Sequence, residues 1–79
     1  MWVQQRQYKV VGAALAAARA HSGLTQRELA KRLAKPQSFV SAFESGQRRV
    51  DLLEFLRIID ALRGDPLKIF AEIQAKARR

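Results

Sequence analysis

The sequence has no cysteine and one histidine, His21. Disulfides, thiolate zinc sites and multi-histidine metal centres are therefore excluded, and no metal or cofactor is expected. Acidic residues are scarce, with 7 Asp+Glu against 15 Lys+Arg for a net charge of +8. Aromatics are few: one Trp, one Tyr and four Phe. None cluster on a basic strand, so Trp2 and Tyr8 are read as packing residues and not as a base-stacking platform. No apolar run approaches the roughly 18 residues of a membrane span. A basic amphipathic membrane-surface role fits poorly too, because the apolar faces serve a core better. A glycine-rich phosphate loop, a nucleophile motif and a carboxylate pair with a plausible cleft are all missing, so the chain is read as a non-enzyme.

What is present is a small basic chain able to fold. Its 79 residues make one domain, and 48% of them are hydrophobic, enough for a modest core that a partner subunit would help. The charge is uneven: residues 1–22 carry +3, 23–49 carry +4, 50–65 carry −2 and 66–79 carry +3. A basic excess of this kind in a small domain points to phosphate on nucleic acid or a membrane surface. Arg6 and Lys9 precede the run VVGAALAAA, and Ala18-Arg19-Ala20 has the form of a cleavage site. The run is alanine-weak and cleavage would remove the first helix, so a cytoplasmic location is the expectation.

Helical spacing recurs along the chain, and no segment keeps the two-residue period of a strand. The first helix is expected over residues 8–22, with Val11, Leu15, Ala18 and Ser22 on one face and Gly23 ending it. Thr25-Gln26-Arg27-Glu28 is a capping box that opens a second helix, with Leu24 and Leu29 as a staple and Leu29, Ala30 and Leu33 as its buried stripe. Pro36 can open a helix but not continue one, so the chain breaks at Ala34-Lys35-Pro36 and a third helix runs over 37–44. It buries Val40 and Phe43, and Gly46 closes it. Asp51 to Glu54 repeats the capping logic with Val50 and Phe55 as staple. The fourth helix is expected to turn Leu52, Phe55, Leu56, Ile59 and Leu62 inward and to stop at Gly64. Asp65-Pro66 then caps and opens a fifth helix to about residue 77. The expectation is an all-α, five-helix domain: an arm at 1–7, a four-helix core at 8–65 and a C-terminal helix at 66–79.

Two helices this short, joined by three or four residues, must cross steeply and be held by their neighbours. Such a crossing leaves the third helix protruding, about 10–12 Å wide, a size that fits the DNA major groove. The stretch GLTQRELAKRLAKPQSFVSAFESGQRRV, residues 23–50, resembles the helix-turn-helix of the Cro/phage-repressor (XRE-like) family. Its markers are Gly-Leu-Thr-Gln before the second helix, Leu29-Ala30 within it, Val40-Ser41 in the third, and Glu44-x-Gly46 with basic residues after. The likeness extends from about Leu15 to Leu62 and implies a lambda-repressor-like fold.

The resemblance also implies roles. Ala30 would stand where the two helices approach most closely. Gln26 and the nearby amides would touch a phosphate, Gln37 and Ser38 would face base edges, and Ser41 and Ala42 would lie further along the outward face. Gln47, Arg48 and Arg49 would grip phosphates, while Arg19 and Glu44 would form a partly buried ion pair. Three residues depart from the family pattern. Ala34 replaces a frequent turn glycine, Lys35 replaces an apolar residue and is expected to point at phosphate, and Ala42 lacks a long polar side chain. Arg27 joins the expected contacts, although with Lys31 and Arg32 it equally suits a solvated face. Phe39 suits covering the domain edge, meeting a DNA sugar or thymine methyl, or plain exposure, with packing the expectation.

The fifth helix carries a wide apolar face of Leu67, Ile69, Phe70, Ala71, Ile73 and Ala77, more than one inward stripe requires. Leu67, Phe70 and Ile73 are the candidates for a homodimer contact. The expected function is sequence-specific binding of double-stranded DNA as a small transcription regulator, a repressor bound to a palindromic operator as a dimer. The alternative is an antitoxin-like or adaptor protein whose domain mainly binds a protein partner.

Overall fold

The computed structural model describes residues 3–78, which form five helices: α1 (Gln5–His21), α2 (Gln26–Leu33), α3 (Gln37–Glu44), α4 (Leu52–Ala61) and α5 (Pro66–Ala77). No strand occurs among the described residues. The α1 helix lies against both α3 and α5, α2 packs on α3 and α4, and α5 folds back onto α4. Between them lies one core of Leu15, Leu29, Ala30, Leu33, Val40, Phe43, Phe55, Ile58, Ile59, Leu62 and Ile69. No helix among the described residues is long and apolar enough to cross a membrane.

The helix starts follow local chemistry. At α2 the Glu28 amide donates to the Thr25 hydroxyl at 3.1 Å, and the Thr25 amide donates to the Glu28 carboxylate at 2.9 Å. Asp51 and Glu54 repeat this at α4, at 2.8 and 3.0 Å. Asp65 accepts from the Leu67 amide at 3.0 Å, with Pro66 in the first turn of α5. These bonds satisfy amides that the helix itself leaves unpaired. The start of α1 differs from the sequence reading. Residues 5–7, expected in an arm, are helical, because the Gln4 amide donates to the Gln7 side chain at 2.9 Å. Gln7 also donates to the Ala77 carbonyl at 3.3 Å, tying the beginning of α1 to the end of α5. Trp2 lies outside the described residues.

Two helix ends share a device. Ala34 closes α2 in the left-handed region at φ 56°, with the Lys35 amide reaching back to the Ala30 carbonyl at 3.0 Å. Arg63 does the same after α4 at φ 55°, with the Gly64 amide on the Ile59 carbonyl at 3.0 Å. The left-handed residue is thus Arg63, and Gly64, which the sequence suggested as the stop, follows it. Both positions carry a side chain where glycine is more comfortable, at a cost of about 1 kcal/mol each.

Two faces also depart from expectation. Along α4 and its capping residue Leu62 the buried set is Phe55, Ile58, Ile59 and Leu62, while Leu52 is 68% and Leu56 43% exposed. At about 100° per residue, Leu52 and Leu56 stand roughly 70° and 110° from the centre of that stripe. On α1, Ser22 is exposed and Gly12 and Ala14 are buried. Gly12 sits where α1 meets the end of α3: a Cβ there would come within 2.2 Å of the Phe43 carbonyl oxygen.

Candidate nucleic-acid interface

Val40 and Phe43 are fully buried and root α3 in the core. Gln37, Ser38 and Ser41 are exposed on its opposite side, and Ala42 is half-buried. Pro36, at φ −69° and ψ 156°, starts the helix without a side-chain cap, and the first turn holds no acidic residue. The positive end of the helix dipole is therefore uncompensated by the helix's own side chains, with Lys35 beside it. That end suits an anion.

A polar chain braces this helix from behind. Arg19 of α1 donates through Nε to Glu44 Oε2 at 2.7 Å and through Nη2 to Oε1 at 3.1 Å. Its Nη1 holds the Leu24 carbonyl at 2.7 Å. Gln26, in the first turn of α2, donates to Glu44 Oε1 at 2.8 Å and accepts from the Gln37 side chain at 3.4 Å. Only 6% of the Glu44 side chain and 18% of that of Arg19 are exposed. Hydrogen bonding to the carboxylate, partly opposed by burial, raises the Arg19 pKa above its usual value. Three helices thus meet on one carboxylate, and Gln37 stands at the outer end of the chain. The Gln26 side chain, expected on phosphate, is used inside the protein.

The α3–α4 loop brings up the remaining basic groups. Gln47 and Arg49 are exposed, and the Arg49 guanidinium lies 4.9 Å from the centre of the Tyr8 ring. Arg48 donates to both carboxylate oxygens of Glu54, at 3.0 and 2.6 Å, and stacks 4.5 Å above Phe39. Lys35 approaches the same ring at 5.6 Å. Bonded to Arg48 and to the Asp51 amide, the Glu54 carboxylate titrates at about 2, well below its usual range. The pair accordingly stays ionised through neutral and mildly acidic pH; any stability it gives is lost as pH falls from the usual carboxylate range toward 2. Arg27 and Lys31 are exposed on α2, whereas Arg32 donates to the Ala61 carbonyl at 2.8 Å and ties α2 to the end of α4.

In the sequence Glu54 reads as a capping residue, and its second role, the pair with Arg48, does not show there. Two opposite charges six residues apart, across a turn, carry no periodic signal. On α5, Leu67 and Phe70 are 79% and 54% exposed, while Ile73 packs against the core.

The sequence profile of the helix-turn-helix family matches residues 15–69. Among solved structures, an XRE-family like protein from Pseudomonas syringae pv. tomato str. DC3000 is 38% identical. It aligns over 90% of this chain and 87% of its own, with a TM-score of 0.78. The restriction-modification controller protein C.AhdI from Aeromonas hydrophila is 32% identical over 78% of this chain and 94% of its own, with a TM-score of 0.71. The clp gene regulator ClgR from Corynebacterium glutamicum is 27% identical over 89% and 91%, with a TM-score of 0.82. No curated protein sequence matches the chain. Fold and family together define a DNA-binding transcriptional regulator. The chain belongs to the XRE-type helix-turn-helix family.

Proposed function

We propose that the protein is a non-enzymatic repressor that binds a palindromic operator as a dimer in the cytoplasm. The observation that supports this best is the two-sidedness of α3: Val40 and Phe43 are fully buried while Gln37, Ser38 and Ser41 are exposed. In this reading α3 enters the major groove. Gln37 and Ser38 meet base edges, glutamine being able to pair bidentately with adenine, and Ser41 and Ala42 follow along the groove. Arg27, Lys35, Gln47, Arg49 and the amides around Gln26 meet phosphates and set the register. Occupying a promoter then blocks polymerase.

Substitution separates reading from gripping. Gln37→Ala is expected to relax preference at one base position, whereas Arg49→Ala weakens binding to all sequences alike and lowers the salt slope by about 1. Affinities measured over a panel of single-base operator variants and several salt concentrations check this. Equal effects of both changes on every sequence would remove the division.

Two copies with paired α3 helices would read half-sites about one DNA turn apart. The exposed Leu67 and Phe70 are the proposed contact, and Phe70→Asp is expected to give a monomer with weakened operator binding. Sedimentation equilibrium tests it: a wild-type chain that stays monomeric at high concentration, with and without DNA, rules the dimer out. The alternative, an adaptor that binds a protein partner, draws on a different surface. Leu52 and Leu53 of α4 are 68% and 73% exposed, and a partner role would use them while sparing α3.

A further inference from the structure

The two loop arginines are held in different ways. Arg49 is exposed beside Tyr8. Arg48 is committed on several sides: to Glu54 through Nη1 and Nη2, to the Arg49 carbonyl through Nη1 at 2.6 Å, and face-on to Phe39. Phe39 in turn meets the buried Phe43 ring edge-on, with centroids 5.7 Å apart at 77°. A continuous path of contacts therefore leads from the core of α3 through Phe39 and Arg48 to the peptide of Arg49 and the first turn of α4.

We infer that Arg48 and Glu54 are positioning residues of the DNA interface: the pair fixes the loop so that Gln47 and Arg49 meet phosphate, and Arg48 takes no phosphate itself. The inference rests on the DNA-binding reading above. A bidentate arginine–carboxylate pair is among the stronger charge-assisted contacts. Passing Arg48 to a phosphate would strand the Glu54 carboxylate next to a like charge. It would also release the Arg49 carbonyl, and with it the orientation of Arg49, the more exposed of the two loop arginines, the Arg48 side chain being 39% exposed. Glu54 is fixed from its other side as well, since its Oε1 accepts from the Asp51 amide at 3.0 Å.

Glu54→Gln separates this role from simple electrostatics. Glutamine keeps the capping box but removes a negative charge, so charge alone predicts tighter binding. Positioning predicts the opposite. Binding to a short mixed-sequence duplex should weaken about tenfold, as expected for a lost hydrogen bond to a charged group, with the salt slope unchanged. Arg48→Gln should weaken binding similarly and also leave the slope unchanged, whereas Arg49→Ala lowers it by about 1. Circular dichroism melts confirm folding, and Arg48→Gln answers the question alone if Glu54→Gln does not fold. Tighter binding by Glu54→Gln with a steeper slope, or a slope lowered by about 1 in Arg48→Gln, would make Arg48 a phosphate contact and overturn the inference. Unchanged binding by both variants would also overturn it, leaving the functional reading intact. A wild-type chain that binds no duplex overturns both.

Discussion

Gly12→Ala lowers the melting temperature by roughly 8–16 °C. The added methyl would lie 2.2 Å from the Phe43 carbonyl oxygen and 2.6 Å from that of Glu44. Both are backbone atoms, so neither can swing aside as a side-chain tip would. Overpacking of this severity costs about 3 kcal/mol, and the better helix propensity of alanine returns at most about 1 kcal/mol. The remainder, about 2 kcal/mol, is a large share of a small domain's stability. To make room, α3 must slide on α1, which also disturbs the Arg19–Glu44 contact. Thermal unfolding by circular dichroism measures the effect. An unchanged or raised melting temperature would mean that the two helices do not cross this closely.

Arg19→Met has a still larger effect, about 3–5 kcal/mol, because it leaves an uncompensated carboxylate in a nearly buried place. The Glu44 side chain is 6% exposed and would keep only the Gln26 donor. Glu44→Gln should cost less, since the Arg19 left behind is 18% exposed and keeps its bond to the Leu24 carbonyl. Urea unfolding of both variants tests that order. The two would rank equally if the pair were an exposed bridge, where such contacts are worth about 0–1 kcal/mol. DNA binding should fall with stability in Arg19→Met, as Glu44 is also the anchor from which Gln26 reaches Gln37.

The features legible in the sequence are those decided within a few residues. The Thr25–Glu28 and Asp51–Glu54 boxes need only a hydroxyl or carboxylate three positions before a glutamate. Pro36 dictates the break between α2 and α3 by its missing amide hydrogen. The helix-turn-helix string adds a spacing long enough to name a family. What stayed hidden depends on residues far apart. Gly12 has no visible reason in the sequence, and only the crossing of α3 supplies one. Leu56 and Ile58 fit an apolar stripe about equally well by period, and only the positions of α2 and α5 decide that Ile58 goes in. Arg63 takes the left-handed position one residue before the expected glycine. Arg48 reads as a free cation because its partner lies beyond the turn, and Gln26 as a free amide because its two partners lie on another helix.

The role proposed for α3 is recognition of specific DNA. Its most direct test is a titration at physiological salt against the duplex upstream of the protein's own gene and against a scrambled duplex of equal length. A preference of about 10³ or more for the upstream duplex is the predicted result. Equal, salt-sensitive binding to both would contradict specific binding at its own gene, leaving an operator elsewhere or a protein partner that supplies the specificity.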